Sequence, residues 1–315
     1  MRVSVAMTCF NGSNYIIEQL ESLRNQTRKI DEVRIIDDHS TDGSFQLVED
    51  YIRAHNLKDW KVVSNPENLG WIKNFHKDIA QTNGDIVFFC DQDDVWHENK
   101  IERMTEILST DENISVLVCR LNLIDSDGKR LPDMHEGLPF DSKNTGKILK
   151  NKVDAKFLYT ISPGCTMAVK RKLITELYKI DQATELPHDN LFWKVGTCLD
   201  CAYILDEALI DYRIHSNNAS NPSAVAYRSV KTNEQRLDEV KRYRNSILSI
   251  RNILSNLTIN DSYNQIIDSI EVFLTNREKW LKKTDYMNTL VFFFKGKKYY
   301  RNMKMFIGDL LARNR

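Results

Sequence analysis

Long apolar runs are missing from this sequence, and so are the glycine patterns that announce many phosphate sites. No stretch approaches the ~20 apolar residues of a membrane span. There is no G-x-G-x-x-G and no G-x-x-x-x-G-K-[ST], so neither dinucleotide nor P-loop chemistry is indicated. Lys and Arg total 44, as do Asp and Glu, so no net field argues for a nucleic-acid partner. Six cysteines are scattered, several inside apolar runs (Cys9, Cys90, Cys119), which suits reduced core thiols rather than a disulfide framework. Cys198 and Cys201 form one C-x-x-C with no second pair, so two core or surface thiols are expected there rather than zinc. The chain opens at Arg2-Val-Ser-Val-Ala-Met7 with no secretory h-region, and a cytoplasmic protein is expected.

What is present is more pointed. The 315 residues suffice for one large domain, or one domain and a smaller appendage. Within Gly84–Trp96 the apolar run Ile86–Cys90 empties directly into Asp91, Asp93 and Asp94. A short run of this kind reads as a strand buried on both faces of a parallel sheet. Ligands bind beyond the carboxyl ends of such strands, and the aspartates fall there. Three carboxylates within four residues repel one another, and a divalent cation with oxygen ligands relieves that. A solvated acidic loop after a strand is the plainer alternative.

Around this stretch the chain alternates strand and helix. Strands are expected at Val3–Met7, Val33–Ile36, Trp60–Val63 and Ile86–Cys90, with helices at 15–26, 44–55 and 72–81. The alternation predicts an α/β fold with a doubly wound, mostly parallel, Rossmann-like sheet and right-handed crossovers. The second strand also ends in acid, at Asp37-Asp38, and both acidic ends would share one rim. Asp42 reads as a helix-capping acid. Asp125-Ser-Asp-Gly128 resembles the start of a calcium loop, but no bidentate Glu follows, so a polar hairpin turn is expected.

Four segments, Val3–Asn11, Ile36–Asp42, Asn68-Leu-Gly70 and Asp91-Gln-Asp-Asp94, resemble in order and spacing the family 2 glycosyltransferases. Ser162-Pro-Gly-Cys165 is similar to that family's donor-side loop. His188-Asp189 with Trp193, and Tyr212–Asn218, are similar to motifs of its rhamnosyltransferase-like branch. The resemblance implies an inverting, nucleotide-sugar-dependent enzyme of the GT-A fold, using Mg2+ or Mn2+. It implies a dTDP- or UDP-linked donor, dTDP-rhamnose among them, and a glycan or polyprenol-linked acceptor in surface polysaccharide synthesis. By the same resemblance Thr8, Phe10 and Asn11 line the nucleotide site, with Phe10 where tyrosine is usual, and Asp38 accepts from the base. Asp91 contacts the donor. Asp93 is the metal ligand, with Asp94 able to exchange roles with it, and His215 and Arg213 help hold metal or diphosphate. Lys73 matches an arginine near the donor, although a lone helix lysine also reads as solvated surface; His215 likewise reads as a plain loop histidine. Asp189 is the expected general base, and His188 and Trp193 are expected on the acceptor side. Asn190, where the branch carries an aromatic, departs from the pattern.

Two other readings share the fold. A sugar nucleotidyltransferase would need a glycine- and arginine-rich first loop, which Thr8–Asn14 does not supply. An inactive binding module would not require both Asp93 and Asp189.

Residues 1–222 are expected to form the catalytic domain and 223–315 a C-terminal α-helical extension. No proline follows Pro222, and Val230, Leu237, Val240, Ile247, Ile250, Leu254 and Leu257 recur at helical spacing, as do Ile266, Ile270, Phe273, Leu274 and Trp280. Leu290–Phe294 precedes Lys295, Lys297, Lys298, Arg301 and Lys304, with Tyr299 and Tyr300 between them. That pattern suits either a peripheral seat on an anionic membrane or a terminal helix docked on the core with a solvated basic face.

Overall fold

Val3–Cys9 forms β1, buried along its whole length, as a central strand covered on both faces must be. In the computed structural model, described for residues 1–132, 145–160, 162–180, 186–216, 218, 231–282 and 289–313, the expected alternation follows. Helix α1 (Ile16–Arg24) leads to β2 (Glu32–Asp37), α2 (Ser44–Ala54) to β3 (Trp60–Ser64), and α3 (Trp71–Gln81) to β4 (Ile86–Cys90). All four strands are parallel, in the order β3-β2-β1-β4, so the carboxyl ends of β1, β2 and β4 share one edge. Residues Asp37, Asp38 and Asp91–Asp94 stand at that edge.

The sheet continues beyond the four strands expected from the sequence pattern. After the acidic loop come β5 (Val95–Trp96), α4 (Lys100–Thr110), β6 (Val116–Ile124) and β7 (Ile148–Lys150). Then follow β8 (Met167–Lys170), α5 (Arg171–Ile180), α6 (His188–Cys198) and β9 (Ala202–Arg213). The order is β3-β2-β1-β4-β8-β6-β9-β5, with β7 also on β9. Strand β8 runs antiparallel to both β4 and β6, while β6 and β9 are parallel. Most strands therefore share one direction, with β5, β7 and β8 reversed. Register shifts in the β6–β9 ladder break the period-2 pattern, and β9 shows two-residue steps of burial instead. The Asp125–Gly128 turn is a polar hairpin, its Asp125 carboxylate taking the Asp127 and Lys129 N–H groups.

The chain divides into two compact units, one of residues 1–151, 161–196 and 200–221, the other of 152–160, 197–199 and 222–315. The second unit contains α7 (Asn233–Leu254), α8 (Asp261–Leu281), α9 (Thr289–Gly296) and α10 (Met303–Arg313). Thr232 and Gln235 close a capping box at the start of α7. Val240, Ile247, Ile250, Leu254, Ile270, Phe273, Leu274 and Trp280 are buried as their spacing predicts, while Val230 lies outside the described residues. At the centre of this unit the buried Arg277 meets Asp309 through two bonds of 2.7 and 3.0 Å. Arg236 and Tyr300 donate to the same carboxylate. The run ending at Phe294 is docked: Phe292 stacks on Trp280 at 4.8 Å, and the Phe293 ring meets Phe306 tilted at 4.5 Å. Phe294 alone of those three phenylalanines is exposed.

Candidate active site

The loop after β4 is held from the far end of β9. Arg213, buried at the end of β9, donates its backbone N–H to Asp94 Oδ1 (3.0 Å) and its Nε to the Asp93 carbonyl (2.8 Å). Its guanidinium also pairs with Glu18, reaches the Asp125 and Ser126 carbonyls, and lies over the Tyr15 ring at 4.9 Å. Two residues on, His215 Nε2 stands 2.7 Å from Asp93 Oδ2, and Asn218 Nδ2 approaches the same oxygen at 3.3 Å. Arg213, His215 and Asn218, far away in sequence, thus close over the acidic loop.

The expected metal group of Asp93, Asp94 and His215 is divided by this geometry. Asp93 is turned to His215, whereas ligand atoms of Asp91, Asp94 and Cys165 lie within 4.8 Å of one another. Asp94 is wholly buried, and its Oδ2 has no hydrogen-bond partner among the described residues. Burial first, then repulsion from Asp93, raises the carboxyl pKa values of Asp91 and Asp94, with Asp189 adding to the first and Asp91 to the second. Crowded carboxylates with a spare buried oxygen are a donor set that fits a hard divalent cation. Burial likewise raises the Cys165 thiol, leaving it neutral at ordinary pH. Beneath the loop Lys100 is buried, its amine 3.5 Å from the Trp96 ring centroid and donating to the Cys165 carbonyl. This counter-charge escaped the sequence reading, although Trp96 and Lys100 stand four apart.

The neighbouring rim is tied to the acidic loop by the side-chain amide of Gln92. Gln92 accepts the Phe10 N–H at 2.7 Å and donates to the Phe10 carbonyl at 3.0 Å, leaving the Phe10 ring exposed and Thr8 buried. Asn11 adopts φ 49°, a left-handed conformation asparagine tolerates, and its Oδ1 takes the Thr41 N–H. Asp42 accepts N–H groups from Ser13 and Ser44 but, contrary to expectation, does not cap α2: the N-cap is Gly43, and Asp42 stands one residue before it. Asp38 differs from expectation. Its carboxylate already receives Asn65 Nδ2 (2.7 Å) and the backbone N–H groups of Leu69 (2.8 Å) and Gly70 (2.9 Å). With three of about four acceptor positions filled from within, its visible task is to fix the 68–70 segment. Lys73 is exposed on α3, where Asn74, Phe75 and Asp78 take the buried positions.

Asp189 occupies the first turn of α6 and accepts the Asn190 N–H at 2.6 Å. Burial lifts its pKa to about 6 against the pull of that N–H and of Lys194, and its charge in turn raises Asp91. Its neighbours correct the acceptor-side expectation. His188 stacks on Phe75 at 4.0 Å and meets Phe89 edge-on at 5.0 Å, and burial holds it neutral. A Cβ on Gly164 would collide with its Nε2. Trp193 is also buried, because Leu191, Phe192 and Val195 make α6 apolar on nearly every side. The exposed aromatic here is Trp71, at the start of α3, edge-on to His188 at 6.4 Å.

Comparison with known proteins agrees with this architecture. Residues 4–177 match the family model described as Glycosyl transferase family 2, and the chain belongs to that family. The dTDP-rhamnosyl transferase RfbG of Shigella flexneri is 26% identical over 262 residues, 79% of this chain and 84% of that protein. The solved structure of S. aureus TarS with UDP-GlcNAc superposes with TM-score 0.57 at 21% identity, covering 98% of this chain and 81% of the other. The mannosyltransferase PcManGT of Pyrobaculum calidifontis, solved with GDP-Man and Mn2+, gives TM-score 0.61 at 16% identity, covering 99% and 86%. The fold is the GT-A α/β fold with C-terminal helices.

Proposed function

We propose that this family 2 glycosyltransferase inverts the anomeric carbon of a nucleotide sugar as it moves one sugar onto a glycan or polyprenol-linked acceptor. The donor class is a dTDP- or UDP-sugar. RfbG is named a dTDP-rhamnosyl transferase and TarS was solved with UDP-GlcNAc, which supports both. A bacterial surface polysaccharide is the product class we assign.

Asp189 acts as the general base. It withdraws the proton from the acceptor hydroxyl while that oxygen bonds to the anomeric carbon and the sugar–diphosphate bond breaks on the opposite face. A carboxylate lifted to about 6 is a better proton acceptor than an ordinary one and is still ionised at neutral pH. Asp91, Asp94 and Asp93, steadied by His215, would hold Mg2+ or Mn2+, and Cys165 borders that group. When bound, such an ion offsets the charge gathering on the departing diphosphate. PcManGT, solved with Mn2+, supports the choice of metal. Arg213 keeps the loop in shape through Asp93 and Asp94. Thr8, Phe10 and Asn11 border the nucleotide, and Asp38 orders the loop beside it. The exposed Trp71 offers an aromatic platform for a sugar ring.

One observation carries the reading: at the carboxyl edge of the parallel strands the ligand atoms of Asp91, Asp94 and Cys165 lie within 4.8 Å of one another, with Asp93 held beside them by His215 at 2.7 Å. Its test is metal-dependent consumption of dTDP- and UDP-sugars with an acceptor glycan, the product's anomeric configuration read by NMR. An inverted linkage is expected. Retention of configuration would overturn the single-base mechanism.

A further inference from the structure

Within the second unit, α10 buries one side and leaves an apolar stripe on the other. Phe306, Gly308, Asp309 and Ala312 face inward. Met303, Ile307 and Leu311 remain 54%, 47% and 47% exposed. At four-residue spacing these three fall within about 80° of one another on the helix, and exposed Lys304 flanks them. Three large apolar side chains in line on one helix are a patch rather than scattered surface.

The exposed charges of this stretch of chain are of one sign. Residues 292–313 contain one acid, Asp309, which is buried and neutralised by Arg277 and Arg236. Lys295, Lys297, Lys298 and Lys304 are exposed. Phe294 is 64% exposed with the Lys297 amine 5.7 Å from its ring, and Lys298 lies 4.8 Å from the Tyr299 ring. Long cationic stems beside aromatic and aliphatic side chains can seat their apolar parts in lipid and keep their amines among headgroups.

We propose that the exposed face of α10, with Lys295, Lys297 and Lys298 before it, is a docking surface for an anionic lipid bilayer. The occupant is assigned by charge: residues 292–313 expose lysines and no acid beside the apolar stripe, which matches acidic headgroups. A second copy of this chain would set those cations against like charge. No described helix is long and apolar enough to cross a membrane, so the contact is peripheral. It moves the seat away from the phenylalanine run, since Phe292 and Phe293 are spent on internal packing.

The test is co-sedimentation of the full chain with phosphatidylcholine vesicles, with and without phosphatidylglycerol. Binding to the anionic vesicles alone is expected, weakened by salt as surface charges are screened. Ile307→Glu with Leu311→Glu should weaken it tenfold or more. Lys297→Ala and Lys298→Ala should each weaken it about fivefold. These side chains are exposed, so an unchanged melting temperature checks the fold. Leu311→Trp provides a second readout, its emission expected to shift blue on anionic vesicles. Wild-type chain that stays in solution, or glutamate variants that sediment like wild type, would overturn the proposal. So would a dimer without vesicle binding that Ile307→Glu dissociates, making a second copy the occupant. Nucleotide-sugar binding by the same variants is read separately, so this result stands or falls apart from the donor assignment.

Discussion

His215 Nε2 lies 2.7 Å from Asp93 Oδ2, joining the end of β9 to the loop after β4 across 122 residues of sequence. The contact settles the orientation of a carboxylate beside the Asp91–Asp94 group. Replacing His215 with Asn should weaken Mn2+-dependent binding of a nucleoside diphosphate about 10–100-fold, the usual effect of removing a residue that orients a metal-site carboxylate. Calorimetry with and without Mn2+ checks it, and equal affinities for variant and wild type would remove His215 from the site.

Asp189→Asn keeps the shape of the first turn of α6 but removes the base. Transfer should fall about 10²–10⁴-fold while donor affinity changes little. A variant that transfers at near wild-type rate would end the assignment of Asp189.

The same carboxylate sets a pH dependence. It must be ionised to accept a proton, and its pKa is raised to about 6 by burial. Transfer efficiency should therefore be level above that pH and fall about tenfold per unit below it. A profile flat down to the ordinary carboxylate range would show that burial does not tune the base.

Gly164 leaves the space that the His188 ring fills. Gly164→Ala would force that ring against Phe75, costing about 1–3 kcal/mol as an overpacked core. A lowered melting temperature is expected, with transfer reduced further because Asp189 is the next residue. An unshifted melting temperature would mean the ring has room to move.

In the helical unit, Asp309→Ala removes the anion shared by Arg277 and Arg236. A buried guanidinium left without its partner costs about 3–5 kcal/mol. Denaturant titration of the full chain measures this, and a loss under about 1 kcal/mol would show that water or Glu239 replaces the carboxylate.

How far the sequence could be read follows from what each signal depends on. The first half of the sheet was legible because buried parallel strands are unbroken apolar runs between amphipathic helices, as in β1 and β4. The acidic loop was legible because its carboxylates are contiguous. The reversed β8 is only four residues long, and β9 carries Asp206, Glu207 and Asp211 within a bulged ladder, so neither shows a clean period of two. Exposure at α6 was not legible: a motif can align His188 and Trp193, but only packing against Phe75 and Phe89 reveals that the histidine faces inward. Trp71 and Lys100 were missed for the same reason, since one is left uncovered and the other covered by elements distant in sequence.

The proposed transfer requires the acidic loop to be a metal-dependent seat for a nucleotide sugar. The most direct measurement is a thermal-shift titration of the chain with dTDP- and UDP-sugars, run once in Mn2+ and once in EDTA. At a hundredfold excess over Kd, a cognate donor should stabilise by about 2.7 kcal/mol, a rise of several degrees that EDTA abolishes and Asp93→Ala diminishes. A chain that no nucleotide sugar stabilises, or one stabilised equally in EDTA, would contradict it.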